Sequence, residues 1–340
     1  MKEIHLTKGP FIQTNNKSKN INNNILLSLI PLIIFAFYKN GIILYGETKN
    51  ILTLFLPLIL ILIASLTGII TNFIIAKIRK ENKTFKYFLT SKYILPGLIL
   101  ALIFPVDAPI WLLPLITFIS VIIGKINISG IPLFNQVAFG AILIIIFNSS
   151  ELFKTISTTN DSLWTMFFGN TANIITNTFL VLLAFLYLIY KKAIKWKILV
   201  TVILTIFIMT YIIGVLNNQT LTYPIYHILS GGLAFLIAYL GSDNETSPTT
   251  AFGQITYAIF LGILTVIFRF YVSEILSIYL SILIMNLFNS IIDELGALAR
   301  FGLKKGSILI LIQIILVLGI SLYIARNNKI VDNVVITKKI

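Results

Sequence analysis

Apolar and polar positions alternate along this chain on a long scale. Eleven apolar runs, at about 25–45, 51–76, 93–104, 109–124, 133–148, 172–190, 198–216, 224–241, 251–268, 272–290 and 307–325, are separated by short stretches rich in Lys, Asn, Ser, Thr, Gly and Pro. Most approach the roughly 20 apolar residues that carry a helix across a hydrocarbon core. Backbone amides find no water there, so each run predicts a helix that bonds its own backbone. Two runs are weaker: 93–104 is short and closed by Pro105, and 133–148 begins inside a Gly/Pro-rich stretch. The expected fold is an all-α polytopic membrane protein of about ten to eleven transmembrane helices.

Composition supports that reading. Hydrophobic residues make up 57% of the chain and charged residues only 11%, against about 25% charged in a soluble domain. The partner these surfaces expect is a lipid bilayer. The net charge of +14 reads as basic loops on one side of a membrane, and no nucleic-acid partner is expected. With the N-terminus inside, 18 of the 26 Lys and Arg residues fall in cytoplasmic segments, around 2–19, 77–92, 125, 191–197 and 300–305. Cytoplasmic loops carry the excess of Lys and Arg. The expectation is a multi-pass protein of the cell membrane with a cytoplasmic N-terminus and loop 149–171 outside. The chain then divides into a cytoplasmic segment 1–23, a first membrane half 24–148, the extracytoplasmic loop 149–171, a second half 172–304, and an extra helix with a short tail, 305–340. With no cysteine, the chain has no thiolate ligands for zinc or iron–sulfur clusters.

Candidate chemistry is confined to two stretches that break the helical pattern. Gly124–Asn135 precedes Ala138-Phe139-Gly140, and Gly241–Thr250 precedes Ala251-Phe252-Gly253. Paired interruptions of this kind point to an inverted repeat with a buried site between the halves. Both stretches are expected to meet near mid-depth and line a polar cavity. Asn135, Asp243, Thr246, Ser247 and Thr249 are the candidate cofactor-binding residues, because amides, hydroxyls and helix N-terminal N–H groups recognise anions and polar rings. Asp243 is singled out because a carboxylate at membrane depth is costly without a partner. The plainer alternative is a pair of cytoplasmic loops with ordinary N-caps, Thr249 or Thr250 capping the helix at Ala251. Neither a Ser/His/Asp set nor a phosphate loop is present, which argues against a hydrolase or an ATPase.

The same residues carry a resemblance. Gly9-Pro10-Phe11-Ile12, Gly97–Pro105 with Ala108–Trp111, Ile123-Gly124-Lys125 with Phe134-Asn135, Ser242-Asp243 with Thr246–Thr249, and Met285-Asn286 with Ile292-Asp293 are similar, in order, to motifs of the NqrB/RnfD family. The RnfD side, a subunit of the Rnf ion-translocating electron transport complex, matches better in size. The resemblance implies an electron relay through flavin, coupled to Na⁺ or H⁺ movement. It implies FMN bound through its phosphate to a Thr in a Ser-Gly-Ala-Thr motif of the outer loop, and leaves room for a second flavin. Here the corresponding stretch reads Thr155-Ile156-Ser157-Thr158-Thr159, without the Gly and Ala. Thr158 and Thr159 are the expected attachment points, and the broken motif puts covalent attachment itself in doubt. Implied partners are other subunits of a membrane electron transport complex, including an RnfG-like flavin subunit. The alternatives are a small-solute transporter or channel, or a scaffold subunit without flavin.

Overall fold

The computed structural model describes residues 18–105, 108–128, 131–148, 163–169, 177–301, 303–331 and 334–337. Among the described residues, each apolar run forms a helix over most of its length. α1 (Ser18–Ala36) continues through a π-helical stretch, Phe37–Ile43, and a last turn, Leu44–Thr48. α2 (Ile51–Ile78) starts where the Asn50 side chain accepts the Leu52 N–H. A short α3 (Phe85–Phe88) leads to α4 (Ser91–Ile103) and α5 (Leu112–Ile123). A small antiparallel hairpin, β1 (Asn127–Ile128) with β2 (Ile131–Pro132), precedes α6 (Gln136–Phe147). After α7 (Leu163–Phe167) come α8 (Thr178–Tyr190), α9 (Trp196–Leu216) and α10 (Thr222–Leu229). The next span continues as α11 (Leu233–Leu236) and a π-helical turn, Ile237–Gly241. α12 (Ala251–Tyr271), α13 (Glu274–Leu287), α14 (Asn289–Phe301) and α15 (Leu303–Asn327) follow. A second hairpin, β3 (Asn328–Val331) with β4 (Val334–Thr337), ends the described chain.

Six stretches among the described residues are long and apolar enough to cross a membrane: Lys19–Gly46, Ile51–Ile78, Trp196–Leu216, Thr222–Gly241, Ala251–Tyr271 and Gly306–Asn327. A seventh is the pair α13 and α14, bent by 59°. Four shorter apolar helices, α4, α5, α6 and α8, complete the set. Side-chain contacts at the loops show the threading. Lys92 at the start of α4, Lys195 before α9 and the loop at 244–247 meet at one end. Asn217 after α9 and Ala325 late in α15 meet at the other. α9 therefore runs from one end of the bundle to the other, and the four shorter helices fall below the length of a full span.

Packing follows from side-chain size. α4 is buried on nearly every face, Leu95 to Ile103 inclusive, which marks an apolar helix at the centre of the bundle. It packs along α2. A Cβ on Gly97 would meet the Ala64 carbonyl carbon at 2.6 Å, so small residues set that approach. The second half repeats the device: α9 packs along α12, and a Cβ on Gly262 would lie 2.8 Å from Cβ of Thr205. α6 against α13, and α1 against α8, join the halves. α15 has Ile308, Leu311 and Ile315 exposed, the pattern of a helix that faces lipid.

Candidate cofactor site

Helix caps assemble the site. Asn135 caps α6, its Oδ1 accepting Val137 N–H at 3.0 Å and Ala138 N–H at 3.1 Å. That geometry turns its Nδ2 towards the second interrupted stretch. Nδ2 stands 3.5 Å from the Leu240 carbonyl and 3.5 Å from Thr246 Oγ1, the outer limit of a hydrogen bond. Thr246 in turn donates to Asp243 Oδ2 at 3.0 Å. Asn286 of α13 closes the ring: its amide donates to the Thr246 and Ile282 carbonyls, at 3.2 and 3.1 Å, and accepts Asn135 N–H at 3.0 Å. The two interrupted stretches thus meet, with α13 between them.

The depth differs from the expectation. α12 runs 21 residues onward from Ala251, about 31 Å at 1.5 Å per residue. The stretch 242–250 therefore lies at the end of a full crossing, not at mid-depth. Exposed groups confirm it: Lys92 and Glu245 pair at 2.5 Å in a solvent-exposed contact.

The remaining candidates have other partners. Ser247 donates to the Asp243 carbonyl at 2.5 Å and accepts from Lys195 Nζ at 2.9 Å. Lys195 also donates to the Ser247 carbonyl at 2.8 Å. Thr249 belongs to a latch. Asp293 of α14 accepts both N–H groups of Thr249 and Thr250, at 2.8–3.0 Å, and the Thr249 hydroxyl at 2.6 Å. Thr250 then caps α12 by accepting Gly253 N–H. Thr158 and Thr159 lie outside the described residues.

Two adjoining cavities open beside this ring. The smaller, about 220 Å³, has apolar walls from Ile25, Ile99 and Val137 and a polar edge from Asn135, Asp243 and Thr246. The larger, about 420 Å³, is lined by Asn72, Lys92, Tyr93, Lys125, Gln136 and Glu245 among others. The electrostatics are strained. Burial, and then the charge of Glu245, push the Asp243 carboxyl above its ordinary range, against the Thr246 hydrogen bond and the Lys195 charge. Burial pushes the Lys195 ammonium down, with Asp243 opposing. Lys92 and Lys195 were not legible as site residues, and Lys125 and Asn286 stood in the sequence only as parts of the motifs that carry the resemblance. Lys92 and Glu245 are 153 positions apart, and no local pattern pairs them.

A second polar cluster occupies the opposite end. Arg269 of α12 donates to the His227 and Ser230 carbonyls and lies 3.9 Å from Glu274. These carbonyls belong to the break between α10 and α11, where Gly231 and Gly232 have φ of +64° and +67°.

Comparison with known proteins gives this arrangement a context. The D-subunit of the proton-translocating ferredoxin:NAD(+) oxidoreductase complex of Clostridium ljungdahlii is 24% identical over 335 residues, covering 88% of this chain and 96% of that protein. The D-subunit of the Na(+)-translocating ferredoxin:NAD(+) oxidoreductase complex of Acetobacterium woodii is 26% identical, covering 90% and 98%. The D-subunit of the ion-translocating oxidoreductase complex of Methanosarcina acetivorans is 27% identical, covering 80% and 87%. The sequence profile of the NQR2, RnfD, RnfE family matches residues 5–302 and stops where α15 begins, and the chain belongs to that family.

Proposed function

We propose that this chain is the RnfD-type membrane component of an ion-translocating electron transport complex, and that it relays electrons through flavin. The family match over residues 5–302 carries the reading. The relatives named above are components of such complexes, one proton- and one sodium-translocating, so either ion is compatible. Other subunits of a complex are the expected partners, with an RnfG-like flavin subunit on the outer side. The lysine-rich end, with Lys92, Lys125 and Lys195, is the cytoplasmic end by the positive-inside rule. The N-terminus lies at that end, and the membrane is the cell membrane.

The smaller cavity suits the ring system of a flavin. Its apolar walls accept a flat aromatic body, and Asn135, Asp243 and Thr246 face the polar edge. The α6 cap holds the Asn135 amide in place, and its Nδ2 makes only long contacts of 3.5 Å among the described residues, so a donor is left for a ligand. A bound flavin supplies one- and two-electron transfer. The residues orient it, and α4 and α6 screen it from water. A flavin ester on Thr158 or Thr159 provides the outer station of the relay.

The test is flavin analysis of the chain coexpressed with a flavin transferase. We expect fluorescence in two fractions: one that stays with acid-precipitated protein and maps to Thr158 or Thr159 by peptide mass, and one released into the supernatant. Asn135→Ala should lower only the released fraction. Protein without flavin in either fraction would leave the scaffold reading instead.

A further inference from the structure

The larger cavity carries a charge that the electron relay does not use. Two ammonium groups, Lys92 and Lys125, face one carboxylate, Glu245. Lys92 takes that carboxylate at 2.5 Å. No carboxylate lies within ion-pair distance of Lys125 among the described residues. Its ammonium stands instead over the Tyr93 ring, 5.6 Å from the centroid. Burial, and then the charge of Lys92, push the Lys125 ammonium below its ordinary range. An anion in this cavity relieves both effects.

The segment packed against Tyr93, a lining residue of the cavity, says which anion. α3 buries Phe88 against Ile69 and Ala76, and leaves Phe85, Tyr87 and Leu89 exposed. Ammonium groups lie over the neighbouring rings: Lys77 at 5.6 Å from Phe73 and Lys83 at 5.0 Å from Tyr87. A short helix with apolar side chains outward and lysines folded back over aromatic faces is suited to the headgroup level of a bilayer. Basic pockets between helices on the cytoplasmic side recognise acidic lipid headgroups. A soluble phosphate has no use for the exposed Phe85, Tyr87 and Leu89; an acyl chain does.

We propose that this cavity binds the phosphate headgroup of an anionic phospholipid, with Phe85, Tyr87 and Leu89 seated beside it at the boundary between headgroups and acyl chains. Lys125 is the principal phosphate contact, Lys92 the second. Asn127 and Gln136 line the same cavity and offer amides to the headgroup hydroxyls. Lys92, Gln136 and Glu245 line both cavities, whereas Lys125 and Asn127 line the larger one alone, so the assignment rests first on Lys125.

The experiment is native mass spectrometry of the full chain, delipidated in detergent and then given phosphatidylglycerol, phosphatidylcholine or inorganic phosphate. Retention of one phosphatidylglycerol in preference to phosphatidylcholine is expected, with inorganic phosphate at millimolar concentration failing to displace it. Lys125→Gln should cut the preference about five-fold, near the 1 kcal/mol that one basic residue contributes at such a surface. Gln136→Glu places a negative charge in the cavity at a helix N-terminus, where it favours the helix, and should weaken retention without harming the fold. Lys191→Gln, at the same end but outside the cavity, should change nothing. Equal retention of both lipids, or loss with Lys191→Gln equal to that with Lys125→Gln, would overturn the assignment. Displacement by inorganic phosphate alone would overturn the lipid source in favour of a soluble phosphate compound.

Discussion

Asp243 shows how one side chain couples the site to pH. Its carboxyl is half-buried beside Glu245, and among the described residues Thr246 Oγ1 supplies the one side-chain donor to it, at 3.0 Å. Burial, followed by Glu245, raises its proton affinity in the fold. In the unfolded chain it titrates near about 4. Between that value and the raised one, the folded state holds more protons than the unfolded state. Stability therefore falls as pH rises through this window, the reverse of the usual salt-bridged aspartate. Asp243→Asn should flatten that slope while leaving the melting temperature at acidic pH nearly unchanged. Thermal melts of the detergent-purified chain, taken from about pH 4 upward, read it directly. A wild-type melting temperature that climbs with pH over this range would contradict the assignment. Asp243 was legible from the sequence, because a carboxylate beside a membrane span stands out. Its neighbours were not: Ser247 and Thr249 look equally suited to a ligand, yet their hydroxyls are spent on Lys195 and Asp293. Only the three-dimensional partner decides which hydroxyl is free.

At the level of elements, the informative feature is the broken span at Ser230–Gly232. Two successive residues with positive φ interrupt the helix ladder, and glycine is the residue that takes that backbone without strain. The break frees carbonyls inside the bundle, where each unsatisfied group is costly. Arg269 answers this by donating to His227 and Ser230 from the neighbouring α12. Its charge is shared between those carbonyls, at the negative end of α10, and Glu274 at 3.9 Å. Arg269→Gln removes the donor fork and leaves Glu274 as a buried, unpaired charge. We expect a loss of about 3–5 kcal/mol, the range for breaking one side of a buried pair. The double variant Arg269→Gln/Glu274→Gln should recover part of that loss, because it removes the orphaned charge but not the orphaned carbonyls. Denaturation midpoints of the single and double variants measure both. Equal losses would show that the carbonyl contacts, and not the ion pair, account for the whole effect. Arg269 and the carbonyls it serves stand 39 and 42 positions apart in the sequence, and no local pattern joins them.

At the scale of the molecule, the all-α polytopic character was legible, while six to seven helices rather than ten to eleven have the length and apolarity of a span among the described residues, and the depth of the site was not legible. Apolar runs report the solvent around a helix, so each run fell on a helix, including the short ones at 93–104 and 133–148. Depth depends on where a helix starts relative to its neighbours, and hydropathy carries no such register. That is why a site expected at mid-depth lies at the lysine-rich end, beside the Lys92–Glu245 pair. The alternating loops now make a sharp statement about sidedness. Lys191 follows α8 at the same end as Lys195, which bonds the 244–247 loop. Thr220 follows α9 at the end where Asn217 meets Ala325. Positively charged loops stay in the cytoplasm because translocating them opposes the insertion machinery and the membrane potential. The chain contains no cysteine, so each introduced thiol is the only one. In intact cells, Thr220→Cys should react with a membrane-impermeant maleimide and Lys191→Cys should not. After lysis both should react. The opposite pattern would invert the topology and place the proposed flavin cavity outside. Reaction of both thiols in intact cells would mean that α9 does not cross, which the bonds joining its two ends to opposite loop clusters argue against.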